Sequence, residues 1–376
     1  MKLSVKIAVF IFFTLHISAL FAEADYNVFC RDKKTLNSAQ IAFENQNYGE
    51  ALKLAEEAKQ IRKERNRYEI SLLENSFKPA EVKYAGDSLA DTLKVLADRQ
   101  DYDAIEIIDW YSKIVRNFDF NDSKNKFMDY LRGISEYPEA DYLIASIYKL
   151  EGEYEFAVRY YNQCLKNSDV LDNINDKYDI LYDLADISYT LKNYEQYEKD
   201  LLLILAQDKT FKDKILIDAM KNTISSNKKN CLEKFFQLYR NENANTLKAY
   251  YKISEFYRKF DINKALDTSM ICVITAFTKI NSVIQKRNPE YSYKNIQNFF
   301  QELQLYPDII EWGIENDVWR CFYNLADDAY SVHYNTFAIQ LFNVVKNYSP
   351  EPYWSEKSSY FLSELNKIIS NVNQYQ

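Results

Sequence analysis

The sequence predicts an all-α protein, and two features of its composition support that prediction. Only 6 prolines and 5 glycines occur in 376 residues, although strands and hairpins need turns that are built largely from those residues. Leucine, lysine, glutamate, alanine and isoleucine are abundant instead, and they favour helices joined by short loops. A third observation, a recurring spacing of alanine and aromatic residues, predicts that the helices form antiparallel pairs.

The recurring spacing marks a tight turn between two helices. At residues 47–52 and 153–158 a polar residue is followed by an aromatic residue and, three positions later, by an alanine. A second alanine lies twelve residues before the first, and the same spacing recurs near residues 322–345. Small residues at these positions let two antiparallel helices approach closely, while the aromatic ring covers the end of the pair. The three alanine pairs are Ala39 and Ala51, Ala145 and Ala157, and Ala326 and Ala338.

Weaker copies give the period of the repeat. Tyr197, Cys231 and Ala265 occupy the same position of the second helix at successive intervals of 34 residues, which is the tetratricopeptide period. The chain therefore resembles tetratricopeptide repeats (TPR), most clearly at Tyr142–Tyr148 together with the positions that follow it. Those positions are Gly152, Tyr154, Ala157, Tyr161 and Leu165. The resemblance implies a TPR-like α-solenoid, a right-handed superhelix of antiparallel helix pairs, with irregular helical stretches.

The same patterns divide the chain into five segments. The resemblance is strong at 37–60, 138–167 and 320–350, fair at 178–205, and faint at 214–240 and 248–277. Residues 167–176 are rich in Asn and Asp, which predicts an inserted loop. No repeat is visible near residues 280–310, and this break is a candidate boundary between two lobes. The predicted segments are a signal peptide at 1–24, an N-terminal helical region at 25–136 with one TPR-like unit at 37–60, TPR-like repeats at 137–280, an irregular helical connector at 281–310 with its own helix at 293–305, and a C-terminal repeat with a capping helix at 311–376.

The first residues predict export. Lys2 and Lys6 precede an uncharged apolar run that ends at small residues, which is the layout of a secretory signal peptide. The run is shorter than the roughly 20 residues that a bilayer span needs. Cleavage after Ala24 or after Ala22 fits the pattern, whereas an uncleaved anchor or acylation at Cys30 fits it poorly. We therefore expect an exported, periplasmic protein of a bacterium, with no transmembrane segment after cleavage.

Several kinds of chemistry are excluded or disfavoured by composition. A net charge of −8 leaves no basic excess for a phosphate backbone, so nucleic acid is not an expected partner. Glycines are never closer than 19 residues, so neither a dinucleotide fingerprint nor a phosphate loop can be written. His333, placed on the loop of the last repeat, is the only histidine after the signal peptide and lacks a set of catalytic partners. The sequence thus predicts no catalysis, no cofactor and no metal site.

The five cysteines are odd in number and widely spaced, so we expect no structural framework of disulfides. Four of them fall in apolar helical stretches, where cysteine behaves as a small hydrophobic residue. These four are Cys164, Cys231, Cys272 and Cys321.

The resemblance also implies where a partner would bind. In tetratricopeptide arrays the first helix of each pair lines the concave surface, and residues three and seven positions apart return to one face of a helix. The alternative for any of the tyrosines is packing against a neighbouring helix. The concave-face residues implied in this way are Tyr142, Ser146, Lys149, Tyr182, Asp186, Tyr189, Tyr323, Asp327 and Tyr330.

Three functions remain as expectations. The first is a non-catalytic periplasmic scaffold or adaptor that binds a protein partner of the cell envelope through an open, charged groove. The second is a carrier of a small molecule or lipid, or a transport accessory protein, with a closed apolar pocket inside the superhelix. The third is a polysaccharide-active helical enzyme, which would need two acids facing each other across a cleft.

Overall fold

A computed structural model of the chain describes residues 31–76, 133, 135–226, 228–238 and 244–374. Within these ranges every regular element is helical and no strand occurs, so the predicted all-α class is confirmed. None of the described helices is both long and apolar enough to cross a membrane. The helices are α1 (Arg31–Glu44), α2 (Tyr48–Ser76), α3 (Pro138–Glu151), α4 (Tyr154–Lys166), α5 (Asp176–Thr190), α6 (Tyr194–Leu205), α7 (Lys214–Ile224), α8 (Cys231–Phe236), α9 (Leu247–Tyr257), α10 (Ile262–Arg287), α11 (Ile296–Leu303), α12 (Pro307–Glu315), α13 (Val318–Ser331), α14 (Asn335–Tyr348) and α15 (Pro352–Gln374).

The chain divides into two compact units, Met1–Ile180 and Leu181–Gln376. The division falls within α5, whereas the sequence placed its candidate boundary near residues 280–310. The physical reason is that α10 continues as a single buried helix to Arg287 and packs against α13. The signal peptide predicted at 1–24 lies outside the described residues, as does much of the predicted N-terminal helical region at 25–136.

Successive helices pack as pairs. Helices α1 and α2, α3 and α4, α9 and α10, and α13 and α14 contact each other extensively. All six alanines of the predicted pairs have no exposed surface. Because alanine adds only a methyl group, each pair of backbones can approach closely at these positions. The predicted contact points of the helix pairs are therefore confirmed.

One backbone conformation recurs at four turns between successive helices, namely α1 to α2, α3 to α4, α5 to α6 and α13 to α14. In each turn a residue with a positive φ stands two positions before the second helix, and the next backbone N–H donates to a carbonyl five residues back. This is the left-handed termination that usually favours glycine. The residues are Gln46 (φ 61°), Gly152 (φ 80°), Lys192 (φ 59°) and His333 (φ 67°). The bonds run from Asn47 to Ala42 (2.9 Å), Glu153 to Tyr148 (2.9 Å), Asn193 to Ser188 (2.9 Å) and Tyr334 to Ala329 (2.8 Å).

We expect the change Lys192→Gly to raise the free energy of unfolding by about 0.5–1 kcal/mol, because glycine adopts a positive φ without steric cost. Lys192→Val should lower it by about 1–2 kcal/mol, since a β-branched residue is strained there. Urea denaturation of the full chain measures both changes. Lys192→Ala is the matched control, because it removes the side chain and keeps the strain. A Gly variant no more stable than the Ala variant would contradict this account of the turn.

The first unit is held together by apolar and charged contacts between its helices. Ala39, Ala51 and Ala55 share one buried cluster with Leu143 and Ile144, which joins α3 to the pair α1 and α2. Two ion pairs also lie at these interfaces. The Lys59 ammonium is 2.5 Å from the Asp141 carboxylate, and Arg62 Nε is 2.7 Å from Asp32 Oδ2.

In the second unit the pair α7 and α8 departs from the expected series. The interval of 34 residues would place this pair between α6 and α9, but α9 contacts α6 directly and α7 and α8 pack against α10 and α14. The cause lies in α8, a helix of six residues that ends in two buried phenylalanines. Phe235 lies 5.2 Å from the Phe337 ring of α14, and Phe236 lies 4.8 Å from the Phe277 ring of α10.

The helices of the connector and the C-terminus occur in the predicted order, but they begin and end at other residues than predicted. The expected helix at 293–305 is the shorter α11, which begins at the N-cap Asn295, whose side chain accepts the Asn298 N–H. The expected capping helix is α15, which packs against α14 and α13. The inserted loop at 167–176 contains a 3-10 turn, Ser168–Val170, followed by turns that lead into α5.

Candidate functional site

Helix α9 positions the main candidate site, because its two faces differ sharply. Tyr250 and Ile253 have no exposed surface and face the core. Lys248, Lys252 and Glu255 follow one another at intervals of four and three residues, which places them on one face of a helix. That face borders an open cleft in the second unit.

The cleft has a volume of about 950 Å³, and it is lined by five helices and the turn after α9. Helix α5 and α6 supply one wall, α9 the floor, and the end of α12 with the start of α13 the other wall. Five of the lining side chains are cationic and four are acidic. The lining residues are Asp186, Tyr189, Tyr197, Lys248, Tyr251, Lys252, Glu255, Phe256, Arg258, Lys259, Glu315, Asn316, Asp317 and Arg320.

Ion pairs fix the floor of the cleft to its walls. The Lys252 ammonium of α9 lies 2.5 Å from the Asp186 carboxylate of α5. On the opposite side Arg320 of α13 lies 2.6 Å from Glu255, and its guanidinium also lies 5.0 Å from the centre of the Tyr251 ring. Because these side chains come from three helices, the pairs hold the cleft face of α9 in place.

Arg258 anchors the end of α9 to α13. It pairs with both Asp327 and Asp328. The Asp328 carboxylate has no exposed surface, and its burial raises its pKa to about 6 although Arg258 opposes the shift. Arg258 therefore offsets the unfavourable free energy of burying the Asp328 carboxylate, and its exposed part also lines the cleft.

Two lysines of the cleft have their ammonium groups turned toward tyrosine rather than toward an acid. Lys248 lies 5.0 Å from the centre of the Tyr182 ring, and the exposed Lys259 donates a hydrogen bond of 3.0 Å to the Tyr189 hydroxyl. Burial raises the pKa of Tyr251, and the adjacent Glu255 carboxylate adds to the shift. Tyr251 is therefore neutral at ordinary pH and acts as a hydrogen-bonding and stacking group.

The structure brings some of the predicted concave-face residues to this cleft. Asp186 and Tyr189 line it, and Asp327 binds its Arg258. In the first unit Tyr142 and Ser146 lie together on α3, where the Ser146 hydroxyl donates to the Tyr142 carbonyl at 2.9 Å. Lys149 follows on the same helix and is half-buried.

Other members of the predicted set serve packing instead. Tyr182 and Tyr323 are each only 6% exposed. The Tyr182 hydroxyl donates to the Asn245 carbonyl at 2.6 Å and accepts the Ala249 N–H at 3.0 Å, so it holds the start of α9. Tyr323 and Tyr330 lie against aromatic rings of α14 and α15. The expected exposure of Tyr323 was wrong because α15 covers this part of α13, whereas Tyr330 is partly exposed.

Sequence reasoning missed the most important part of the cleft, which is α9 itself. Residues 248–277 resembled the repeat only faintly, so no residue of α9 entered the predicted set. A periodic signal was nevertheless present. Lys248, Lys252, Glu255 and Lys259 lie at intervals of four, three and four, opposite the apolar positions of the same helix.

The fold and the cleft together define the class of this protein, an all-helical chain of packed helix pairs with a charged cleft. No family model matches the chain. It is 28% identical over 333 residues to an uncharacterized protein of Treponema pallidum (strain Nichols), an alignment that covers 87% of this chain and 88% of that protein. It is 22% identical over 257 residues to an uncharacterized protein of Borreliella burgdorferi, covering 59% of this chain and 76% of that protein.

Proposed function

We propose that this protein is a non-catalytic, exported adaptor of the bacterial cell envelope, which binds an extended segment of a partner protein. The observation that supports it is the cleft of the second unit, which is open and lined by nine charged side chains. A carrier of a small molecule or lipid would need a closed apolar pocket, because ligands of that kind are bound by burying their surface. An extended polypeptide instead offers charges of both signs and backbone groups.

The proposal includes a tetratricopeptide-like α-solenoid as the scaffold. Four helix pairs share the same left-handed turn with the same backbone hydrogen bond, and buried alanines stand at equivalent positions of three pairs. In a repeat array the first helix of a pair faces the concave surface, and α9 stands in that position before α10. The periplasmic location rests on the predicted signal peptide.

An enzymatic role fits the cleft less well. Two of the four cleft acids, Asp186 and Glu255, are each bound to a cation within 2.6 Å. A general acid or base must lie within hydrogen-bond reach of the substrate, whereas these two carboxylates are engaged in close ion pairs with side chains of the protein. The arrangement therefore favours binding over proton transfer.

The test is an affinity capture from the envelope fraction with the full mature chain, comparing the wild type with the variant Lys248→Glu/Lys259→Glu. Both lysines are exposed, so the double charge reversal should leave the fold intact, as circular dichroism would check. We expect defined partner proteins to be lost, with at least a tenfold weaker affinity once the partner is purified.

The matched control is Lys212→Glu/Lys214→Glu, which makes the same charge change at exposed positions outside the cleft. It should retain the partners. If the cleft variant and the control behave alike, the cleft assignment fails. If no protein is captured by the wild type but purified lipid or a small molecule binds, carriage replaces the adaptor function.

A further inference from the structure

Two buried cysteines of the second unit lie side by side although they are 49 positions apart in the chain. The Cys272 Sγ of α10 is 3.4 Å from the Cys321 Sγ of α13. Their exposed fractions are 1% and 3%. Another buried thiol of the unit has a different neighbour, because the Cys231 Sγ lies 3.6 Å from the Gln340 side-chain oxygen.

We propose that Cys272 and Cys321 form a redox-active pair that closes into a disulfide between α10 and α13. A disulfide bond is about 2.05 Å long, so the two sulfur atoms need to approach by little more than 1 Å. Rotation of the side chains together with a small shift of the first turn of α13 supplies that distance. The proposal concerns a covalent modification; it rests on the proposed export of the protein to an oxidising compartment and not on the binding of a partner.

The chemistry is thiol–disulfide exchange with an external disulfide, either a small molecule or an oxidoreductase. The thiolate of one cysteine attacks the external disulfide, forms a mixed disulfide and releases one thiolate. The second cysteine then attacks the protein sulfur of the mixed disulfide and releases the other thiolate. The two cysteine protons pass through solvent to the two released thiolates, the protein pair loses two electrons, and the external disulfide is reduced to two thiols.

The timing of the reaction follows from burial. The hydrogen-bond contact with Cys272, together with burial, raises the pKa of Cys321, and the thiolate is the reactive form. Exchange is therefore slow in the folded protein and fast while α10 and α13 are still exposed during folding. Exported proteins fold under oxidising conditions, where the pair can close.

Closure should stabilise the second unit. The bond would enclose the 48 residues between the two cysteines, and it would join the second helix of one pair to the first helix of the next. Cross-linking a loop of this length restricts the unfolded chain. We expect the melting temperature of the oxidised protein to exceed that of the reduced protein by about 10 °C.

The test is refolding of the full mature chain with oxidised or reduced glutathione, followed by alkylation of free thiols, tryptic digestion and mass spectrometry. We expect the peptides 265–279 and 321–346, which contain the two cysteines, to be joined after oxidation and alkylated separately after reduction. This readout needs no variant. Two fully alkylated peptides after oxidation, or linkage of either cysteine to another one, would overturn the proposal.

Variants test the stability effect. Cys272→Ser and Cys321→Ser should each abolish both the joined peptides and the difference in melting temperature between oxidised and reduced samples. Cys231→Ser is the matched control, because it removes another buried thiol of the same unit, and it should keep both. A temperature difference that persists in Cys321→Ser would show that another group responds to the oxidant.

Discussion

Replacing Asp32 with alanine should lower the free energy of unfolding by about 3–5 kcal/mol, because it leaves a buried guanidinium without its carboxylate. Asp32 has no exposed surface, and Arg62 is 7% exposed. The Arg62 guanidinium also lies 3.4 Å from the centre of the Tyr137 ring, which borders α3. This ring cannot neutralise the charge, so the variant should lose contacts between α1, α2 and α3.

Urea denaturation would give the change in free energy, and hydrogen exchange would locate it. We expect faster exchange in α1, α2 and α3. The matched control is Glu57→Ala, which breaks a pair of the same charge type between the same two helices. Arg31 and Glu57 are separated by 3.6 Å and their side chains are 68% and 43% exposed, so the loss should stay below about 1 kcal/mol. Equal losses in the two variants would mean that burial does not govern the Asp32 pair.

A double variant distinguishes the contribution of the ion pair to stability from that of the surrounding packing. Replacing both partners, as in Asp32→Leu/Arg62→Met, removes the charge and the carboxylate together. Such a double change should recover much of the stability lost in Asp32→Ala. The main role of the ion pair would then be to specify how α1 packs against α2.

The sequence allowed the helix pairs to be predicted because their cause is local. A close approach of two helices requires small residues at fixed positions, and the alanine spacing therefore marked α1 with α2, α3 with α4 and α13 with α14. The left-handed turns were less visible, since only Gly152 among the four residues is a glycine. Lys192 and His333 adopt the same conformation because the surrounding helix pair holds them there.

The features that could not be predicted from the sequence depend on long-range contacts. The position of α7 and α8 depends on Phe235 and Phe236 reaching α14 and α10, and no local spacing encodes that choice. Nor could spacing reveal the contact of Cys272 with Cys321. Within the candidate site, Asp186 and Tyr189 were predicted from a repeat of fair resemblance, whereas the charged face of α9 was overlooked because its repeat is faint.

The aromatic core of the second unit should be more sensitive to truncation than any part of its surface. Phe277 has no exposed surface, and its ring lies 4.6 Å from that of Phe299, 4.8 Å from that of Phe236 and 5.2 Å from that of Tyr293. It thus joins α8, α10, α11 and the segment before α11. We expect Phe277→Ala to lower the free energy of unfolding by about 3–5 kcal/mol, since a large cavity is left where these helices meet.

Thermal and urea denaturation of the full chain would measure the loss, with Ile215→Ala as the control. Ile215 is 83% exposed, so its truncation should change stability by less than about 0.5 kcal/mol. Phe277→Leu keeps most of the apolar volume and should cost less than half as much as Phe277→Ala. A Leu variant as unstable as the Ala variant would show that ring stacking, more than the filling of space, stabilises this junction. The contacts of α8 would then depend on aromatic geometry, which would explain why α7 and α8 leave the series of helix pairs.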